Sequence, residues 1–159
     1  MGRPPYAVLR SKYIDRHSVH AEDLYRWIGY PPEYANDPRY ANTCAIRMSL
    51  ALVRCGIPIS PARMRVLAGE CKGKMIEPGQ RNLSNILIRL WGSPEKYEGG
   101  PEARKAIDKR HGVISFFHLW GGTDRQGHID MVAPYGIDML ACEEDCYWSS
   151  TQVWFWPLK

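Results

Sequence analysis

The sequence predicts an α+β protein in which helices come first and an antiparallel sheet last, and three observations lead there. Apolar residues recur at helical spacing through the first and middle parts of the chain. After Gly112 the character changes to short runs rich in β-branched and aromatic residues. Between two of those runs, GHIDMV and IDMLAC, the stretch Ala133-Pro134-Tyr135-Gly136 has the composition of a turn, which makes a hairpin of antiparallel strands the natural reading.

In chain order, the first helix is expected from Tyr6 to Arg16 and the second from Ala21 to Trp27, stopped by Gly29 and Pro31. A polar approach, PPEYANDPRYANT, follows. From Cys44 to Arg54, Ile46, Leu50 and Val53 fall on one helical face, with Asn42 and Thr43 as caps and Gly56 as the stop. Ser60-Pro61 reads as a cap followed by proline at a first helical position, so a short helix is expected there, and another from Asn82 to Leu90. The Pro- and Gly-rich stretch from Gly92 to Pro101 reads as a loop. Strands are expected at Val113 to Phe117, Gly127 to Val132 and Gln152 to Trp156.

With 159 residues, 45% apolar and 24% charged, the chain fits one domain, residues 1–159, that buries a core without metal or disulfide staples. Its net charge of +4 is spread along the chain, so nucleic acid binding is not demanded. Charges interrupt the N-terminal stretch where a signal peptide needs an apolar core, and no segment reaches the length of a membrane span. Export by the usual signal peptide and membrane insertion are both unexpected. Five cysteines, Cys44, Cys55, Cys71, Cys142 and Cys146, leave one thiol over in any complete internal pairing. Cys55 and Cys71 read as buried small residues, with a disulfide between them as the alternative.

Cys44 stands at the first turn of its helix, where unpaired amides and the helix dipole favour a thiolate and can hold an oxyanion. The plain alternative is a small apolar core residue. A thiol hydrolase also needs a base, and His128 follows Gly127 at a strand start. His17, His20 and His111 lie in polar, surface-like surroundings, and His118 ends an apolar strand. Asp130, two residues from His128, shares its strand face, where its side chain is placed either to orient the imidazole, to line a substrate groove or to cap a loop. Arg47 follows Cys44 by one helical turn, placed either to meet a substrate carboxylate or to lie on a solvated face. Most of the six tryptophans and nine tyrosines read as core. Trp120 is set apart, because the glycine-rich loop HLWGGTDRQGH leads into His128 and is placed to border a substrate groove.

NTCAIRMSLAL around Cys44, GHIDMV around His128, the CEEDC segment and the closing VWFWPL together resemble the fourth family of type VI secretion amidase effectors. The resemblance implies a papain-like (NlpC-type) cysteine hydrolase with N-terminal helices packed on a C-terminal antiparallel sheet. It implies cleavage of the γ-D-glutamyl to meso-diaminopimelate bond of peptidoglycan stem peptides, with Cys44 as nucleophile and His128 as base. The family pattern C-x-D-x-C carries the third catalytic role, position by position, to Glu144 of Cys142-Glu143-Glu144-Asp145-Cys146, with Asp145 one residue away and Asp130 third. The expected hairpin register favours this segment over Asp138. Cys142 and Cys146 are spaced to close a small disulfide, suited to the oxidising periplasm of an attacked cell. A zinc pair would need further ligands at standard spacing, and no CxxC occurs, so neither metal nor other cofactor is expected. The implied partners are stem peptides, a cognate immunity protein and the type VI secretion machinery, with synthesis in the cytoplasm and delivery to a target periplasm. The rival readings are a papain-like protease or acyltransferase on another substrate, and a non-catalytic cell-wall-binding module.

Overall fold

The computed structural model describes residues 2–118, 127–134, 136–137 and 147–159. The chain divides into two compact units, a helical one, Val8–Ile86, and a sheet unit of Met1–Ala7 with Leu87–Lys159.

The first helix, α1 (Tyr6–Lys12), spans the division between the units and stops short of the expected Arg16. The Asp15 carboxylate accepts the amides of His17 and Ser18, at 2.9 and 2.8 Å, and this local turn competes with helix continuation. α2 (Ala21–Ile28) ends as expected on Gly29, whose left-handed backbone (φ 91°) donates its N–H to Arg26. The polar approach contains a 3-10 helix, Pro32–Asn36, whose Tyr34 ring stacks on Tyr40 at 4.9 Å. α3 (Cys44–Arg54) has the expected bounds. It closes with a left-handed Gly56 donating to Val53 and Ile57 donating to Leu52. Its burial is wider than one stripe, since every residue from Cys44 to Leu52 is buried. Its Ile46 and Leu50 join Leu24, Tyr25, Ile28, Val66 and Ile76 in the core of the helical unit.

No helix follows Ser60-Pro61; the chain bends at Pro61 and Arg63 before entering β1 (Met64–Arg65), paired antiparallel with β2 (Met75–Ile76). The residues on either side follow a period of two: Ile57 and Ile59 before the bends, and Met64 and Val66 after them, are buried, while Pro58 and Arg65 are exposed. That alternation outweighs the cap-proline signal. α4 (Gln80–Trp91) begins earlier than expected. The division between the units falls within it.

The sheet unit holds β3 (Glu95–Tyr97), α5 (Gly100–Ile107), β4 (Gly112–Phe117), β5 (His128–Ala133), β6 (Gly136–Ile137) and β7 (Gln152–Pro157). Among the described residues the sheet order is β3-β7-β4-β5-β6 and every neighbouring pair is antiparallel. β4 and β5 are buried along their whole length, as expected of strands covered on both faces. β3 and α5 arise in and after the stretch read as loop. β3 is a three-residue edge strand, Glu-Lys-Tyr, without the apolar alternation that announces a strand. Gly100 opens α5 because a Cβ there would lie 1.6 Å from the Trp148 carbonyl oxygen, and its N–H donates to Ser150 at 2.9 Å. Ala103 and Ile107 of α5, Ile114 and Phe116 of β4, Val132, Tyr147, Trp148, Val153 and Phe155 form the core here.

No helix among the described residues is long and apolar enough to cross a membrane. Cys44, Cys55 and Cys71 are free thiols, which removes the Cys55–Cys71 disulfide. Cys71 is buried as expected; Cys55, at the C-cap of α3, is only half-buried. Trp120, Asp138, Cys142, Glu144, Asp145 and Cys146 lie outside the described residues.

Candidate active site

Cys44 is the first residue of α3 and 5% exposed. The sequence shapes this corner from within a few residues. Asn42 turns its side-chain oxygen back to accept the Cys44 N–H at 3.1 Å, while the Thr43 carbonyl accepts the Arg47 N–H at 2.9 Å and starts the helical ladder. The Thr43 hydroxyl makes no capping bond of its own and instead accepts from Arg47 Nε at 2.9 Å. Arg47 is the main correction in this corner. At 1% exposure it lies neither on a solvated face nor open to a substrate carboxylate, and its Nη1 donates to the Ile14 carbonyl at 3.0 Å. Burial pushes its pKa down from the usual guanidinium value, against the raising influence of Tyr13, Asp15 and Cys44.

His128 opens β5 in the sheet unit and is 6% exposed. Side chains two apart on a strand share a face, and here that periodicity brings the fully buried Asp130 carboxylate to 2.7 Å from His128 Nε2. The other carboxylate oxygen accepts the Met131 N–H, also at 2.7 Å, so the acid is held at both ends. A carboxylate at Nε2 keeps the proton on that nitrogen and puts the imidazole lone pair on Nδ1, the tautomer of a base acting through Nδ1. Two aromatic rings fix the ring plane. Tyr147 stacks at a centroid distance of 4.4 Å, and Phe116, directly across β4 in register with His128, lies at 6.4 Å with an interplanar angle of 17°.

Of the residues singled out in the sequence, the structure thus joins His128 to Asp130, and Arg47 to the cap residue preceding Cys44. His17 and His20 are exposed, whereas His111 is half-buried and stacks on Tyr6 at 4.7 Å instead of lying on the surface. Phe116 and Tyr147 were not singled out. The pairing of two apolar strands carries a signal for Phe116, but Tyr147 reaches His128 by a contact with no local trace. Among the described residues, no three His, Cys, Asp or Glu side chains converge as a metal site.

A family model described as type VI secretion system amidase effector protein 4 matches residues 40–156. No curated protein sequence matches. Among solved structures, the chain is similar to the type VI effector Tae4 from Enterobacter cloacae, with a TM-score of 0.73 at 23% identity, covering 99% of this chain and 98% of that one. The Tae4–Tai4 effector–immunity complex from the same organism gives 0.70 at 22%, over 99% of both chains. The Tae4/Tai4 effector–immunity system of Salmonella typhimurium, as its selenomethionine variant, gives 0.74 at 20%, again over 99% of both. The shared fold is papain-like, of the NlpC type.

Proposed function

The chain belongs to the type VI secretion system amidase effector 4 family, whose members are antibacterial hydrolases of peptidoglycan in target bacteria, and from that premise we propose a cysteine mechanism acting on one bond. The bond is the amide between γ-D-glutamate and meso-diaminopimelate in the stem peptide, the nucleophile is Cys44 and the base is His128. Residues 1–159 act as one amidase domain. The observation that carries this reading is the buried His128–Asp130 pair at 2.7 Å, because an imidazole oriented by a carboxylate is what a thiol nucleophile needs and what a packing histidine does not.

The steps follow from the groups. His128 Nδ1 takes the Cys44 thiol proton, and the thiolate adds to the γ-glutamyl carbonyl carbon. The first-turn amides of α3 stabilise the resulting oxyanion. Collapse breaks the C–N bond, and His128 hands its proton to the departing diaminopimelate amine. Water, deprotonated by the same imidazole, then hydrolyses the thioester and frees the glutamate carboxylate and Cys44. Asp130 stabilises the transient imidazolium and holds its tautomer. Glu144 and Asp145 are the alternatives that the family pattern supplies for this third role. The pattern likewise supplies a Cys142–Cys146 disulfide, and the loop before His128 supplies Trp120 as a substrate contact.

The solved relatives include complexes with the immunity protein Tai4. A cognate immunity protein of that kind neutralises this chain in kin, and the type VI machinery carries it from the cytoplasm of the producer to the periplasm of the target.

Incubating purified Gram-negative peptidoglycan with the wild-type and Cys44→Ala proteins, then weighing the released muropeptides, tests the proposal. Products ending between D-glutamate and diaminopimelate, made by the wild type alone, support both bond and nucleophile. Products of equal yield from Cys44→Ala remove the nucleophile, and products cut elsewhere remove the bond.

A further inference from the structure

Arg47 carries a charge whose position packing alone does not explain. It is 1% exposed, and among the described residues no carboxylate pairs with it. Burying an unpaired cation is costly, and near the N-terminus of a helix the dipole adds to the cost, because that end is already positive. An apolar side chain of similar size would fill the same space without either penalty. The guanidinium is nevertheless fixed at that end. Long helical side chains fold back over the preceding turn, and Nε reaches the Thr43 hydroxyl, immediately before Cys44, while Nη1 is anchored on the Ile14 carbonyl of the segment after α1.

The groups around it are few. Tyr13 and Asp15, on the segment following α1, and Cys44, on α3 itself, favour its charged form, and Arg16 opposes it. From α2, the buried Tyr25 phenol also feels the Arg47 charge, and its hydroxyl is committed to the Tyr40 carbonyl at 2.5 Å. Cys44 is the one thiol in this set. We infer that Arg47 is a positioning residue that sets a fixed positive charge behind the first turn of α3, where it stabilises the anion that Cys44 becomes and orders Thr43 beside it. The inference rests on the proposed role of Cys44. It assigns the two disfavoured features of Arg47, its burial and its place at the positive end, to a single purpose.

The test separates charge from shape. Arg47→Gln keeps hydrogen-bond donors toward Thr43 without the charge, and Arg47→Lys keeps the charge. Each full-length variant is alkylated with iodoacetamide at neutral pH, and the Cys44 and Cys55 peptides are followed separately by mass spectrometry. Kcat and KM are measured on purified peptidoglycan. Arg47→Gln should slow Cys44 alkylation about ten-fold, the scale of a unit charge beside an ionising group, and lower kcat similarly with KM unchanged. Cys55 should be unaffected, and Arg47→Lys should recover most of both losses. Cys44 alkylation at the wild-type rate in a folded Arg47→Gln protein would overturn the inference, as would an Arg47→Lys protein as impaired as Arg47→Gln. If Arg47→Gln loses its far-ultraviolet helical signal, Arg47→Met serves as the uncharged variant under the same criteria. Muropeptide release by Cys44→Ala would sink the proposed nucleophile instead, and the two failures are read in different proteins.

Discussion

Around Cys44 the polar groups come from the same stretch of chain: Asn42 bonds its amide, Thr43 starts the helix and Arg47 folds back one turn, with only the Ile14 carbonyl supplied from farther away. Around His128, among the described residues, Asp130 is the local partner. Phe116 comes across from β4, and Tyr147 comes from the segment that leads toward β7. The helix end is therefore a device that short-range chemistry specifies, whereas the strand site is made by pairing and by packing of distant rings. Each region should fail in its own way when disturbed.

The largest effect is expected at the proposed nucleophile. Cys44→Ala should lower muropeptide release by about 10⁴-fold or more with the circular dichroism spectrum unchanged, the scale seen when a covalent catalyst is deleted. Asp130→Asn comes next. Losing the carboxylate that fixes the His128 tautomer should cost about 10³-fold in kcat, with KM changed little. Glu144→Gln, measured beside it, sharpens the comparison, since a greater loss there than in Asp130→Asn would transfer the orienting role to Glu144. A structural break should follow from Gly100→Ala. The added methyl meets the Trp148 backbone, which cannot swing aside as a flexible side chain would, and the sheet unit should lose about 3 kcal/mol in urea unfolding. An unchanged midpoint would mean that α5 docks otherwise.

The smallest effect belongs to the edge of the sheet. Arg110 hydrogen-bonds the Glu95 carboxylate, at 2.7 and 2.8 Å, and holds it below the usual carboxylate range. Its folded pKa is depressed, so the stability it contributes is present above the unfolded pKa and is lost as the pH falls through the folded one. For a pair this exposed, Glu95→Gln should cost no more than about 1 kcal/mol at neutral pH. That difference from wild type should shrink as the pH falls below the range of an ordinary carboxylate and through the folded, depressed one, and thermal melts across the acid range read it directly.

How far the sequence could be read follows the same division. α3 was legible to its ends because its caps, its apolar spacing and its glycine stop are all local. β4, β5 and β7 were legible to within one residue, because their β-branched and aromatic runs stand out from what surrounds them. The expected helix after Ser60-Pro61 shows where local signals conflict. A cap and a proline suggested a helix, but the flanks alternate in burial, Ile57 and Ile59 on one side and Met64 and Val66 on the other, and the chain bends between them into a short strand. β3 escaped notice because an edge strand needs a partner more than an apolar pattern, and Lys96 meets Trp154 only once β7 is in place.

The sequence by itself determined the helices-then-sheet order and put Cys44 at a helix start and His128 at a strand start, because each rests on residues within one turn or one strand pair. It also put Asp130 on the same strand face as His128, since a period of two is a property of any strand. Tertiary structure decided the rest. It removed Arg47 from solvent, brought Tyr147 and Phe116 onto the imidazole and required Gly100 beneath the Trp148 backbone. Burial and close approach are properties of what the folded chain lays alongside a residue, and no local pattern encodes them.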